Sequence, residues 1–508
     1  MIPRRRFLMG SLASVTFAAP AGFIRGAPIS FSADPFTLGV ASGCPRPDRV
    51  ILWTRLAPQP LDSGGMGDAP VDVEWQVADD EAFSRIASSG VVRTTAELAH
   101  SVHAEATGLR PDRVYWYRFR AGPALSPVGR TRTAPAESAR PFRFAFASCQ
   151  QYEQGYFAAY RDMAARDLDL VVHLGDYIYE KSWGSHHVRQ HGVGIPTTLE
   201  EFRNRYALYK SDPDLQAAHA AFPWLSVWDD HEVMDDYAND RSYTVRDTAR
   251  FLKIRAAAYQ AYYEHMPLPP TARPRGVDAT IYEHYRFGDM LDVLLLDDRQ
   301  YRSASACVGN GRPTWVTDCA GRTDETRTML GQTQEQWLDA RLRESRGRWT
   351  IVAQQTLMAQ DKREGDDGAH FWMDGWDGYP NARRRLLDSL AAHRRNPIVI
   401  GGDRHAFFAA DLKHDFARPD GPTIATEFVG TSITSDGPSE SSVRKALAEN
   451  PHLVYARGDR RGYATVELDA RHCTVGFEAL DDVRDARSAV RRLTTFVVED
   501  GAPGAKAA

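Results

Sequence analysis

Cysteine is scarce in this sequence. Five residues, Cys44, Cys149, Cys307, Cys319 and Cys473, are scattered over 508 positions, too few to staple a chain of this length as a disulfide scaffold. A basic surplus is also lacking: 67 acids against 62 lysines and arginines leave a formal charge of −5, which excludes the footprint of a nucleic-acid binder. Beyond the first residues no run of about eighteen apolar positions occurs, so the mature chain has no segment that reads as a transmembrane helix. Nor does any repeat of solenoid length recur. What is present, 43% hydrophobic and 25% charged residues, is the mixture of a soluble globular protein, and the length calls for two domains.

The first stretch, "MIPRRRFLMGSLASVTFAAPAGFIRGAP", has a basic start, an apolar middle and a small-residue end, the grammar of an export signal. Arg4-Arg5, followed after one residue by Phe7-Leu8, resembles a bacterial twin-arginine signal, with a plain general-export signal as the blander alternative. Residues 1–27 are therefore set apart from the fold. The expected partner is the twin-arginine export machinery and the expected location periplasmic or extracellular. Twin-arginine export carries folded proteins, often with a cofactor seated, so the address hints at a metal. In such an oxidising compartment Cys307 and Cys319, which flank a Gly/Pro-containing loop, are candidates to pair.

Residues 36–138 read as all-β, with short alternating runs such as "RVILWTRL" (49–56), "VDVEWQVA" (71–78) and "RVYWYRFRA" (113–121) between turn residues. "GLRPDRVYWYRF" resembles the tyrosine corner of a fibronectin type III sandwich, where a tyrosine hydroxyl bonds back across the corner. "TRTAPAESARP" reads as a linker. From 139 to 485 apolar strands alternate with amphipathic segments, and the apolar runs repeatedly end in polar residues. After 485 the tail is basic, then Gly/Ala-rich, and is expected to fray.

Four of those strand ends carry chemistry: "SC" (148–149), "GDYIY" (175–179), "WDDHE" (228–232) and "GGDRH" (401–405). In an α/β protein the carboxyl ends of strands are where a site is presented. If these ends converge, several carboxylates crowd one cleft. Like charges that close either raise their pKa values or need cations between them, and bound metal is the simpler solution.

In order and kind these pieces resemble the calcineurin-like metallophosphatases. "ASC", "GDYIYE", "WDDHEV", "LDDRQYR" and "FWMDGWDGYP" match their alkaline phosphatase D branch over roughly residues 36–480. The resemblance implies an α/β metallophosphatase core, a four-layer α/β/β/α sandwich, preceded by an all-β fibronectin III-like sandwich domain. It also implies a dinuclear site. Asp176 would bridge two metals; Cys149, Tyr179 and His405 would complete the first site, a thiolate and phenolate set that suits Fe³⁺. Asp230 and Asp403 would join Asp176 in the second, with Gln354 or Gln355 nearest to a histidine that many relatives have there, Gln355 being the assignment made. Such an oxygen-rich set favours Ca²⁺ or Mg²⁺.

The expected chemistry is hydrolysis of phosphate monoesters or diesters by a metal-activated hydroxide at neutral to alkaline pH. His231 would protonate the leaving oxygen or hold the phosphate, and Arg404 would bind phosphate oxygens with its planar fork. Blander readings stand beside these: Asp176 and Asp403 as turn residues, Cys149 as a buried thiol, Tyr179 as packing, His231 as a structural histidine, Arg404 in a surface salt bridge. The alternative for the whole chain is an extracellular binding module with a structural or inactive metal site.

Overall fold

A computed structural model describes residues 30–137 and 140–508; the export-signal reading of residues 1–27 lies outside the described residues. Two sheets face one another, one of ten strands and one of seven. The strands Phe142–Ala147, Leu170–His173 and Pro223–Ser226 run parallel in the larger sheet. Leu291–Leu295, Trp349–Ala353, Pro397–Gly401 and Ala425–Val429 do so in the smaller. All but Ala425–Val429, which carries Thr426 and Glu427, read as apolar runs, because a parallel strand covered on both faces has little use for polar side chains.

Alternation along these strands builds two cores. Val293, Leu295, Ile351, Ala353, Ile398 and Ile400 point between the sheets, where they meet Phe144, Phe146 and Val172. Their neighbours Leu294, Val352 and Val399 face outward onto Leu338 and Leu342 of the helix Gly331–Glu344 and Leu386 and Leu390 of the helix Pro380–His393. The period of two that sends side chains to opposite faces thus yields a double-sided sheet. The helices Ala158–Ala164, Leu199–Lys210, Pro213–Ala221 and Thr248–His265 join the first core from the other side. The layers are α/β/β/α, as expected. Side chains fix where the helices begin: Thr198 and Glu201 form a reciprocal capping box, and Asp212 and Asp247 accept from first-turn amides.

The front segment is all-β. One wall is a five-stranded sheet containing Val71–Ala78 and Val114–Ala121. The other consists of Val40–Arg46, Arg49–Arg55 and Ser101–Thr107, and Val50, Leu52, Val73, Val77 and Phe119 fill the space between the walls. The tyrosine corner is present, with the Tyr115 hydroxyl accepting from the Arg110 amide at 2.9 Å. This second wall is not separate from the α/β half: Val40–Arg46 pairs in parallel with Pro223–Ser226, so it extends the ten-stranded sheet. The junction demands glycine at 43, where a Cβ would lie 2.6 Å from the Pro267 carbonyl and 2.8 Å from that of Trp224.

The tail differs from the expectation. Val490–Glu499 pairs with His472–Leu480, and Ala502–Ala507 pairs with it in turn. Phe496 and Val498 are buried, and the basic residues that suggested a solvated tail are the strand's outer face: Arg491 bonds Asp481 and Arg492 bonds Glu478. Cys307 and Cys319 are disulfide-bonded, and the other three cysteines are free and buried. No helix among the described residues is long and apolar enough to cross a membrane.

Deleting residues 489–508 strips the partner from His472–Leu480 and uncovers Phe477. The truncated protein is expected to melt at least about 5 °C lower than the full chain in a thermal scan; an unchanged midpoint would mean that the tail adds nothing.

Candidate metal centre

At the cleft between the sheets the backbone leaves ordinary territory. Cys149, Asp176, Asp403 and His405 all have φ between 51° and 61°, the left-handed region that costs a residue with a Cβ about 1 kcal/mol or more. Each follows the end of a strand and turns the chain sharply. Gly175, at φ 98°, lets the Asp176 loop lie against the next strand end, where a Cβ would come 2.6 Å from the Asp229 amide nitrogen.

Those turns bring distant residues together. Cys149, Asp176 and His405 each present a ligand atom within 4.8 Å of the others. The Tyr179 hydroxyl is 2.8 Å from Asp176 Oδ2 and 3.1 Å from His405 Nε2. His405 Nδ1 faces the Asp436 carbonyl at 2.7 Å, so its proton belongs there and the Nε2 lone pair faces the cluster. Ser435 Oγ lies 2.8 Å from both the Tyr179 hydroxyl and the Cys149 carbonyl. A second group comprises Asp229, Asp230 and Asp403, and a third comprises Asp176, Asp230 and His231. Asp176 and Asp230 therefore link the groups into one.

Seven of the nine residues singled out in the sequence meet here: Cys149, Asp176, Tyr179, Asp230, His231, Asp403 and His405. Gln355 does not join them as a ligand. Its Oε1 accepts from the Asp298 amide at 2.7 Å and its Nε2 donates to the Leu296 carbonyl at 2.9 Å, because a loop leaving a parallel strand needs partners for its backbone. Gln354 is engaged likewise, by Thr356 N and Trp376 Nε1. Arg404 also stands apart: its Nη2 bonds Asp361 at 2.8 Å, for it sits between two residues that turn into the cleft and so points the other way.

Sequence reasoning missed Arg299. The residue is wholly buried and its guanidinium bonds Asp229, Asp230 at 3.2 Å and Asp374 at 2.8 Å. Asp374 also holds Arg302 at 2.9 Å. Both segments, "LDDRQYR" and "FWMDGWDGYP", had been noticed, but nothing in their spacing says which charge points inward. Glu180, the acid that ends "GDYIYE" and that the sequence leaves open between supporting the site and facing solvent, binds His231 Nδ1 at 2.6 Å.

The electrostatics fit a cation. Burial, with Asp230, Glu232 and Asp403 adding to it and His231 opposing, holds the Asp176 carboxyl well above the usual range. Burial does the same to Asp229, more strongly than Arg299 opposes it. The Cys149 thiol and the Tyr179 phenol are pushed up by burial first and by the Asp176 charge next. His405 is brought down to about 3 by burial and then by Arg461, so its imidazole is neutral and available as a donor. Asp229 Oδ2 is buried with no hydrogen-bond partner. An orphaned carboxylate oxygen amid acids that cannot all ionise side by side is what a bound positive ion resolves. One group offers thiol, phenol, imidazole and carboxylate, the other three aspartates, so the two donor sets differ in hardness.

The chain resembles known proteins along nearly its whole length. A family model described as PhoD-like phosphatase matches residues 144–477, and one described as PhoD-like phosphatase, N-terminal domain, matches residues 23–135. The chain is 42% identical to alkaline phosphatase D of Bacillus subtilis (strain 168) over 99% of its own length and 88% of that protein's. It is similar to the solved structure of PhoD, with a TM-score of 0.90 and 42% identity over 94% of this chain and 93% of that one.

Replacing Arg299 by Ala would strip the shared guanidinium from Asp229, Asp230 and Asp374, leaving Asp374 only Arg302. The substitution is expected to destabilise the cation-free protein by about 3–5 kcal/mol in denaturant unfolding. A cost under about 1 kcal/mol would show that the acids are compensated otherwise.

Proposed function

The chain belongs to the PhoD-like phosphatase family and is a phosphohydrolase; from that premise we propose that it hydrolyses phosphate monoesters or diesters with cations held by the linked ligand groups. Fe³⁺ would be held by Cys149, Asp176, Tyr179 and His405. Ca²⁺ or Mg²⁺ would be held by Asp176, Asp230 and Asp403, with the free oxygen of Asp229 available to it. The chemistry cations would supply there is neutralisation of phosphate charge and a lowered pKa for water near neutral or alkaline pH. The observation that carries this reading is the linkage of the groups through Asp176.

The chain's own residues supply the rest. Glu180 fixes the ring of His231 by bonding its Nδ1–H, which leaves Nε2 3.7 Å from Asp235 and 4.0 Å from Asp230. Although burial works against it, the charges of Glu180, Asp230 and Asp176 hold His231 well above its usual range. A charged imidazole can pass its Nε2 proton to the departing oxygen. Arg299 keeps Asp229, Asp230 and Asp374 in fixed relation while substrate binds. The twin-arginine reading supports export before the enzyme works, placing it in the periplasm or outside the cell. Since the family consists of phosphatases, the binding-module alternative is set aside.

Chromogenic mono- and diesters, assayed with and without chelator, test the reading: turnover should vanish on chelation and return with metal, and no turnover under any loading would end it. Asp176→Asn should lower kcat/KM by more than about a hundredfold. His231→Asn should slow substrates with poor leaving groups by about 10²–10⁴ while affecting nitrophenyl esters far less. Iron on the Tyr179 phenolate should colour the concentrated protein violet to brown, and Tyr179→Phe should bleach it; a colourless, fully active enzyme without iron by elemental analysis would contradict the assignment.

A further inference from the structure

Glu232 lies beside the ligand groups and belongs to none of them. It is 1% exposed, and its carboxylate turns beneath the cleft. Oε2 accepts from the backbone amides of Asp176 at 3.0 Å and Asp229 at 2.8 Å, and Oε1 accepts from Tyr177 at 2.6 Å. The three donors lie just beyond two neighbouring strand ends, Leu170–His173 and Pro223–Ser226. With Gly175 at φ 98° and Asp176 at φ 56°, successive amides converge into a backbone concavity that favours an anion, and the protein fills it with its own side chain.

A carboxylate here adds its charge to the acids of the cleft, Asp176 among them. Three converging N–H donors explain why an acid is present all the same: both oxygens of a carboxylate accept, whereas an amide side chain would turn an NH₂ toward one of the backbone donors. Glutamine would remove the repulsion and break the tie. We propose that Glu232 is a positioning residue of the phosphohydrolase, fixing the distance between the Asp176 and Asp229 carboxylates so that both reach a cation. The inference rests on the cation reading given above. It assigns to Glu232 a role exerted through backbone, with no contact to substrate.

The chain contains a matched control. Glu427, on the strand Ala425–Val429, is also fully buried and accepts from two successive amides, Met358 at 2.6 Å and Ala359 at 2.7 Å, in a loop segment that holds no candidate ligand. The test is calorimetric titration with Ca²⁺ of chelator-stripped full-length protein, as wild type, Glu232→Gln and Glu427→Gln. Hydrogen exchange of the Asp176, Tyr177 and Asp229 amides is followed in parallel. E232Q is expected to bind Ca²⁺ about 10–100-fold more weakly, to exchange those amides faster, and to lose kcat with KM within about threefold. E427Q should melt lower yet keep its Ca²⁺ affinity. Glu232→Asp, one methylene short of the amides, provides the same readout if E232Q does not fold. Affinity retained within about threefold in the Glu232 variant, or lost equally in E427Q, would overturn the inference alone. A wild type that binds no Ca²⁺ would overturn the cation reading, and this inference with it.

Discussion

Crowding of negative charge governs the cleft. Asp176, Asp229, Asp230 and Asp374 are buried and Asp403 half-buried, with oxygens of several of them within 4.8 Å of one another. In a place with little water such a set repels itself strongly. The protein answers from its own resources with Arg299 and His231, and these divide the acids unequally. Asp230 is buried, yet Arg299 and His231 pull its carboxyl below the usual range, while Asp229 beside it stays well above. The deficit that remains falls on Asp176 and Asp229, where the ligand groups call for cations.

Geometry serves this electrostatics. Parallel strands end at one rim, and a residue with positive φ just past an end swings its side chain across that rim. Cys149, Asp176, Asp403 and His405 share the device, although they come from strands of both sheets. Strain at four positions is affordable only because the strands beneath are buried on both faces and do not yield.

Much of this was readable in the chain, for reasons that differ from residue to residue. The apolar runs betrayed the strands because burial on both faces excludes polar side chains, and the polar residue after each run betrayed the rim. Tyr115 was readable because its corner is a local motif. Orientation was not readable. Arg404 stands between two residues that matter and Gln355 just past the end of a buried strand, and only the handedness of a turn decides that their side chains serve Asp361 and backbone instead. Arg299 escaped for the same reason, its three carboxylate partners lying 69 to 75 positions away in sequence. The tail was misread because arginines that bond acids on a sheet's outer face look, in sequence, like solvated ones.

The shared sheet has a consequence for the order of events in folding. Ser42 finds its neighbour at Pro223, about 180 positions later, so the front wall keeps the edge of Val40–Arg46 open until the chain through Ser226 has been made. Pairing of such long range is slow, because loop entropy is lost before contacts repay it. Until then Val40–Arg46 is a bare edge, open to pairing with another chain. Once paired, the front strand closes the edge of Pro223–Ser226 as well, so each half shields a strand of the other from strange chains.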